Sequence, residues 1–154
     1  MDGAPASFAG SWRLSLERSE FGKVPGGPPQ ERTDVIEHDG PRIRHTLNLV
    51  WRGRQTTATY DYSTDGEPTV NRIDGREVRT VAAWEGDVLR LRSSTRLLMF
   101  TMALDERWSL SPDAHTLTFQ RHVRYGVGED DQKLVFGRES RTQPDPAGGR
   151  GRGR

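Results

Sequence analysis

Four side chains offer chemistry by their type and position: His45, Tyr62, Glu106 and Arg121. Each interrupts a row of apolar residues that recurs at every second position. Ile43, His45, Leu47, Leu49 and Trp51 form one such row. Leu98, Phe100, Met102, Leu104, Glu106, Trp108 and Leu110 form a second, and Leu117, Phe119, Arg121, Val123 and Tyr125 a third. A charged group on an apolar face is costly unless it is paired. Taking Pro112 to His115 as a four-residue loop sets Glu106 opposite Arg121, with Leu110 facing Leu117, Trp108 facing Phe119, Leu104 facing Val123 and Met102 facing Tyr125. Glu106 and Arg121 then either satisfy each other as a structural ion pair, or Arg121 offers its donor fork to a ligand carboxylate or hydroxyl. If Arg121 were drawn off to a ligand, the Glu106 carboxyl would rise in pKa and could serve as acid or base.

Taking Gly53-Arg54 as a two-residue turn sets Trp51 opposite Thr56, Leu49 opposite Ala58, Leu47 opposite Tyr60 and His45 opposite Tyr62. A turn at Asp39-Gly40 brings Asp34 across from His45; the following Pro41 permits a longer loop that brings Val35 there instead. An Asp-His pair beside a tyrosine can do acid-base work, or the histidine can simply be hydrogen-bonded in a wall. No serine falls where a hydrolytic triad needs one. His38 and His115 fall in turns and are expected in solvent, and His122 on the face away from Arg121. The four histidines show no metal-ligand spacing, and with no cysteine there is no thiolate nucleophile or disulfide. No metal and no cofactor are expected.

The elements that must position these groups are strands. Runs of period two fall near 8–18, 31–38, 42–52, 55–63, 69–73, 76–85, 87–95, 97–110, 115–126 and 132–140, divided by turn signals such as Asp74-Gly75 and Ser111-Pro112-Asp113. No helical period competes. Short spacers make a meander, and closing it removes both edges. The expected fold is all-β: a single up-and-down antiparallel β-barrel of eight to ten strands over residues 8–140, with a sandwich as the alternative. Residues 1–7 and 141–154 read as disordered tails. The Gly-Arg run at the end is a solvated tail or a weak RNA contact.

Composition agrees. The apolar share is 32%, thin for a domain of 154 residues, as a barrel with one wet face per strand would be. No run is long enough for a helical membrane span. The net charge of +1 comes from 23 basic and 22 acidic residues. That balance does not suit a specific nucleic-acid binder. Met1 to Pro5 shows no leader, which reads as cytoplasmic. A trimmed leader would make the protein periplasmic or secreted.

The opening of the first strand, Phe8, Gly10-Ser11-Trp12 and Leu14, resembles the Gly-x-Trp start of lipocalins and fatty-acid-binding proteins, the calycin group. The segment Trp108 to Thr118 resembles a hairpin of bacterial lipocalin-like proteins of unassigned function. The resemblance spans roughly residues 8 to 140 and implies a barrel around a small apolar or amphipathic molecule, with Trp12 plugging its closed end. Two features depart from it. Ser19 to Pro29 carries Pro25, Gly26, Gly27, Pro28 and Pro29 where fatty-acid-binding proteins insert a helix pair, so any lid is a loop. Their Arg-x-Tyr carboxylate clamp is missing, because Arg124 and Tyr125 are adjacent and face opposite ways.

The expected ligand wall is Leu47, Leu49, Tyr60, Trp84, Phe100, Met102, Leu104, Phe119 and Tyr125, oriented by Arg121. The small, partly polar face along Val78, Thr80, Ala82, Ser93 and Thr95 suggests a cavity rather than a solid core. The alternative to a binding protein is a cofactor-independent isomerase, cyclase or hydrolase. In that enzyme His45 or Glu106 would be the acid-base group, Tyr62 or Tyr125 the proton donor, and Arg121 the oxyanion partner.

Overall fold

Alternating side chains and short turns produce ten antiparallel strands. The computed structural model describes residues 7–23 and 27–139. The strands are β1 (Gly10–Leu14), β2 (Glu31–Asp39), β3 (Arg42–Trp51), β4 (Arg54–Ser63), β5 (Thr69–Ile73), β6 (Arg76–Glu85), β7 (Val88–Arg96), β8 (Thr101–Leu110), β9 (Thr116–Tyr125) and β10 (Gly128–Arg138). Among the described residues there is no helix. The two tails, apart from Ser7, and part of the proline-rich segment lie outside the described residues.

The sheet order is β4-β3-β2-β1-β10-β9-β8-β7-β6-β5. Neighbours in sequence are neighbours in space, and the first and last strands pair to carry the meander round. Among the described residues, only the β4–β5 seam lacks a ladder. There the Asn71 amide stands in for backbone, accepting from Asp61 N–H and donating to Asp61 C=O, both at 2.9 Å.

Turn chemistry sets the register. The β3–β4 turn is Arg52-Gly53, with both residues in the left-handed region (φ 53° and 77°), the geometry a tight hairpin prefers. Trp51 therefore pairs with Arg54, Leu47 with Ala58 and His45 with Tyr60. This is two residues away from the register that a Gly53-Arg54 turn predicts. The β2–β3 turn is Gly40-Pro41, so Ile36 stands across from His45, and neither Asp34 nor Val35 does. Both shifts are even, so no side chain changes face. The β8–β9 register is as expected, with Glu106 opposite Arg121 and Met102 opposite Tyr125.

Direction alternates along the meander, so the turns fall at two ends. One end is closed by rings. Phe8, Trp12 and Trp108 are fully buried. The Trp12 indole N–H donates to the Phe8 carbonyl at 3.0 Å, and the Arg138 guanidinium lies 4.2 Å over the Trp12 ring. His38 belongs to this plug and not to a solvated turn. It sits in β2 with its ring 6.1 Å from both Phe8 and Trp84. Its Nδ1 accepts from the Phe8 N–H at 3.2 Å, and burial lowers its pKa. Such rings each remove enough apolar surface from water to stabilise by roughly 1.5–3 kcal/mol.

A candidate ligand cavity and its polar floor

At the other end the barrel is hollow. A cavity of about 430 Å³ is lined on its apolar side by Leu14, Phe21, Leu49, Val123, Tyr125 and Leu134. Gly27, Pro28, Pro29 and Phe21 contribute the segment between β1 and β2, and Trp51, 40% exposed, stands at the rim. The polar lining is Arg32, Arg121 and Gln132. A second space of about 270 Å³ lies against β5 to β8, among Tyr60, Val78, Ser93, Thr95 and Leu104. Met102 and Arg121 line both.

Each floor arginine is held from behind by a carboxylate. Arg32 and Asp34 lie two apart on β2 and so share a face. Arg32 Nε donates to Asp34 Oδ1 at 2.8 Å and Nη2 to Oδ2 at 2.9 Å. The same Oδ2 lies 2.6 Å from His45 Nε2, and Tyr62 Oη lies 3.3 Å from His45 Nδ1. Burial alone would raise the Asp34 pKa. The Arg32 charge, with hydrogen bonds from Arg32 and His45, outweighs it and holds the carboxyl well below the usual range. An ionised Asp34 can only accept, so His45 turns an Nε2–H toward it, and the Tyr62 hydroxyl meets the other ring nitrogen. Burial, with Glu106 nearby, raises the Tyr62 pKa well above the ordinary tyrosine value.

On the facing wall Glu106 Oε1 accepts from the Trp108 indole at 2.9 Å, and Oε2 lies 2.9 Å from Arg121 Nε. The contact is close but badly angled: the buried Arg121 Nε–H has no hydrogen-bond acceptor. Burial outweighs the Glu106 charge and lowers the Arg121 pKa from its ordinary value. Arg121 is thus a half-buried cation that its partner compensates incompletely.

The residues singled out from sequence divide by depth. Leu49, Met102, Tyr125 and Arg121 line the first space, and Tyr60 and Leu104 the second. Leu47 is half-buried on the same face without lining either. Phe119 was expected in the ligand wall but packs in solid core, stacked 4.6 Å from Trp108 and tilted 4.8 Å from Phe136. Trp84, expected in the same wall, belongs to the aromatic plug, 5.6 Å from Phe8. Phe100 stands at the rim, 39% exposed. His45, Tyr62 and Glu106 are buried and line neither space. His122 faces outward, between Glu129 and Asp131.

Arg32, Gln132, Leu14 and Leu134 were not foreseen. The signal for Arg32 was its even spacing from Ile36, hidden because Val35 and Ile36 are both apolar and leave the β2 face ambiguous. Among the described residues, no three histidine or carboxylate side chains gather where they could hold a metal.

No family profile matches the chain, and no curated protein matches it in sequence. Solved structures match it in shape. A secretory abundant heat soluble protein of Ramazzottius varieornatus superposes with a TM-score of 0.62 at 12% identity, over 85% of this chain and 94% of that one. Zebrafish ileal bile acid-binding protein, complexed with cholic acid, gives 0.58 at 13% identity, over 87% and 100%. Caenorhabditis elegans lipid binding protein 8 gives 0.53 at 14%, over 86% and 95%. The chain is a ten-stranded antiparallel barrel with the calycin-type fold.

Proposed function

We propose that the protein binds a small, mostly apolar molecule in the open end of the barrel, with a hydrogen-bond-accepting end group on Arg121. The observation that carries this is a cavity of ligand size, about 430 Å³, walled by aliphatic and aromatic side chains and floored by Arg121, Arg32 and Gln132. The floor is rich in donors. Asp34 holds Arg32 with both oxygens, whereas Glu106 leaves the Arg121 Nε–H without an acceptor. The floor therefore suits an acceptor such as a carboxylate or a hydroxyl oxygen. Two of the structural neighbours are named for lipid and bile acid binding, which supports the same class of ligand. His45 and Glu106 line neither space, so nothing in their placement favours an enzyme over a carrier.

The test is displacement of the apolar fluorophore anilinonaphthalene sulfonate by decanoate and by decanol. Both should displace it from the unaltered protein. Arg121→Ala should weaken the better competitor about tenfold or more, as loss of a charged hydrogen bond does. Equal affinity in Arg121→Ala would remove the anchor role, and no displacement by either compound would remove the reading.

A further inference from the structure

The second space differs in chemistry from the first. The first is walled mainly by hydrocarbon. The second sets Tyr60, Ser93 and Thr95 beside Val78 and Leu104. Two of its hydroxyls are engaged differently. The Thr95 hydroxyl donates to the Glu77 carbonyl at 2.8 Å. Ser93 pairs across the strands with Thr80, which is 1% exposed, and their hydroxyl oxygens lie 2.8 Å apart. If Ser93 donated to Thr80, the Thr80 hydrogen would be buried with no acceptor among the described residues, a cost comparable to a lost hydrogen bond. With Thr80 donating instead, the Ser93 hydrogen stays free, and Ser93 lines the space. Tyr60 of β4 is half-buried in the same lining, and burial raises its pKa, so its phenol stays neutral and can donate or accept. One acid and one base, Asp74 and Arg76, line the exposed side. Together they carry no net charge with which to hold an ionic group.

We propose that the second space takes a small, uncharged, hydroxylated head group, joined through an ester or amide carbonyl to a hydrocarbon chain in the first space. This rests on the ligand reading above and specifies the accepting group at Arg121. Arg121 and Met102 line both spaces, so an acceptor on Arg121 sits where the two adjoin. Glu106 already sets a negative charge 2.9 Å from the Arg121 Nε. A carbonyl oxygen accepts at Arg121 without bringing a second carboxylate near the first. Met102 is unbranched and adaptable, so it can give way where the molecule passes between the spaces. At about 30 Å³ for each water-sized group, the second space of about 270 Å³ has room for roughly nine, enough for a glycerol residue.

The experiment is displacement of anilinonaphthalene sulfonate by methyl decanoate and by 1-decanoylglycerol, each below its solubility limit. The two compounds share the chain and the ester carbonyl and differ by the diol. The diol compound should displace the fluorophore at about a tenfold lower concentration, as one or two added hydrogen bonds allow. Ser93→Ala removes the free donor. Val78→Phe fills the second space, which Val78 lines without lining the first. In each variant the two compounds should act within about twofold of each other. Equal displacement by both compounds from the unaltered chain overturns the head-group site and leaves the cavity reading standing. So does a preference for the diol that survives in either variant. Displacement by neither compound overturns the cavity reading and the head-group site together.

Discussion

Asp34 joins the floor of the cavity to the core behind it. One carboxylate holds the Arg32 fork with both oxygens and takes the His45 Nε2–H on one of them. Removing the charge leaves a buried guanidinium without its counter-ion, which costs about 3–5 kcal/mol. Asp34→Asn should therefore lower unfolding free energy by about that much in a urea titration. The acid side follows from the same group. Because the folded pKa is depressed, the Asp34 contribution is complete above the ordinary aspartate value of about 3.9 and is lost as pH falls below it. That loss runs at about 1.4 kcal/mol per pH unit. Stability measured between about pH 4 and 2 should fall less steeply in Asp34→Asn than in the unaltered chain. A variant of unchanged stability and unchanged acid slope would contradict the network.

At the scale of elements, the seam between β4 and β5 is the weak line of the wall. Two hydrogen bonds from the Asn71 amide replace a strand ladder there. Asn71→Ala should cost about 1–2 kcal/mol and should raise hydrogen exchange at Asp61 while sparing the β8–β9 pairing. Exchange unchanged at Asp61 would show that other contacts hold the seam. The strand rows themselves were legible in the sequence because each carries its apolar residues at every second position. The β8–β9 register was legible too, and with it the Glu106–Arg121 pair, because Ser111-Pro112-Asp113 admits few loops. The β3–β4 register was not, because Arg52-Gly53 and Gly53-Arg54 both contain the glycine. Choosing between them depends on whether Arg52 accepts a left-handed conformation, a strain of order 1 kcal/mol that the alternation of residues does not reveal. The Asp34–His45 contact survived the wrong register because a long side chain reaches a diagonal neighbour as well as a direct one.

The whole barrel is packed at one end and hollow at the other. Composition hinted at this division, since too few large apolar residues were present to fill both ends. It could not say which residues belonged to which. Phe119 and Leu49 share the same alternation, yet one lies in solid core and the other lines the cavity, because depth along the barrel is not written in a period of two. The central claim is that the hollow end holds an apolar ligand with its polar group at Arg121. The most direct measurement is nuclear magnetic resonance on isotope-labelled protein with unlabelled decanoate, reading contacts between ligand methylenes and protein methyls. The predicted result is contacts to Leu14, Leu49, Val123 and Leu134, with the Arg121 side-chain signals shifted and both effects absent in the chain without ligand. Contacts confined to the exposed Leu98, Met99 and Val127, with the cavity methyls silent, would contradict it.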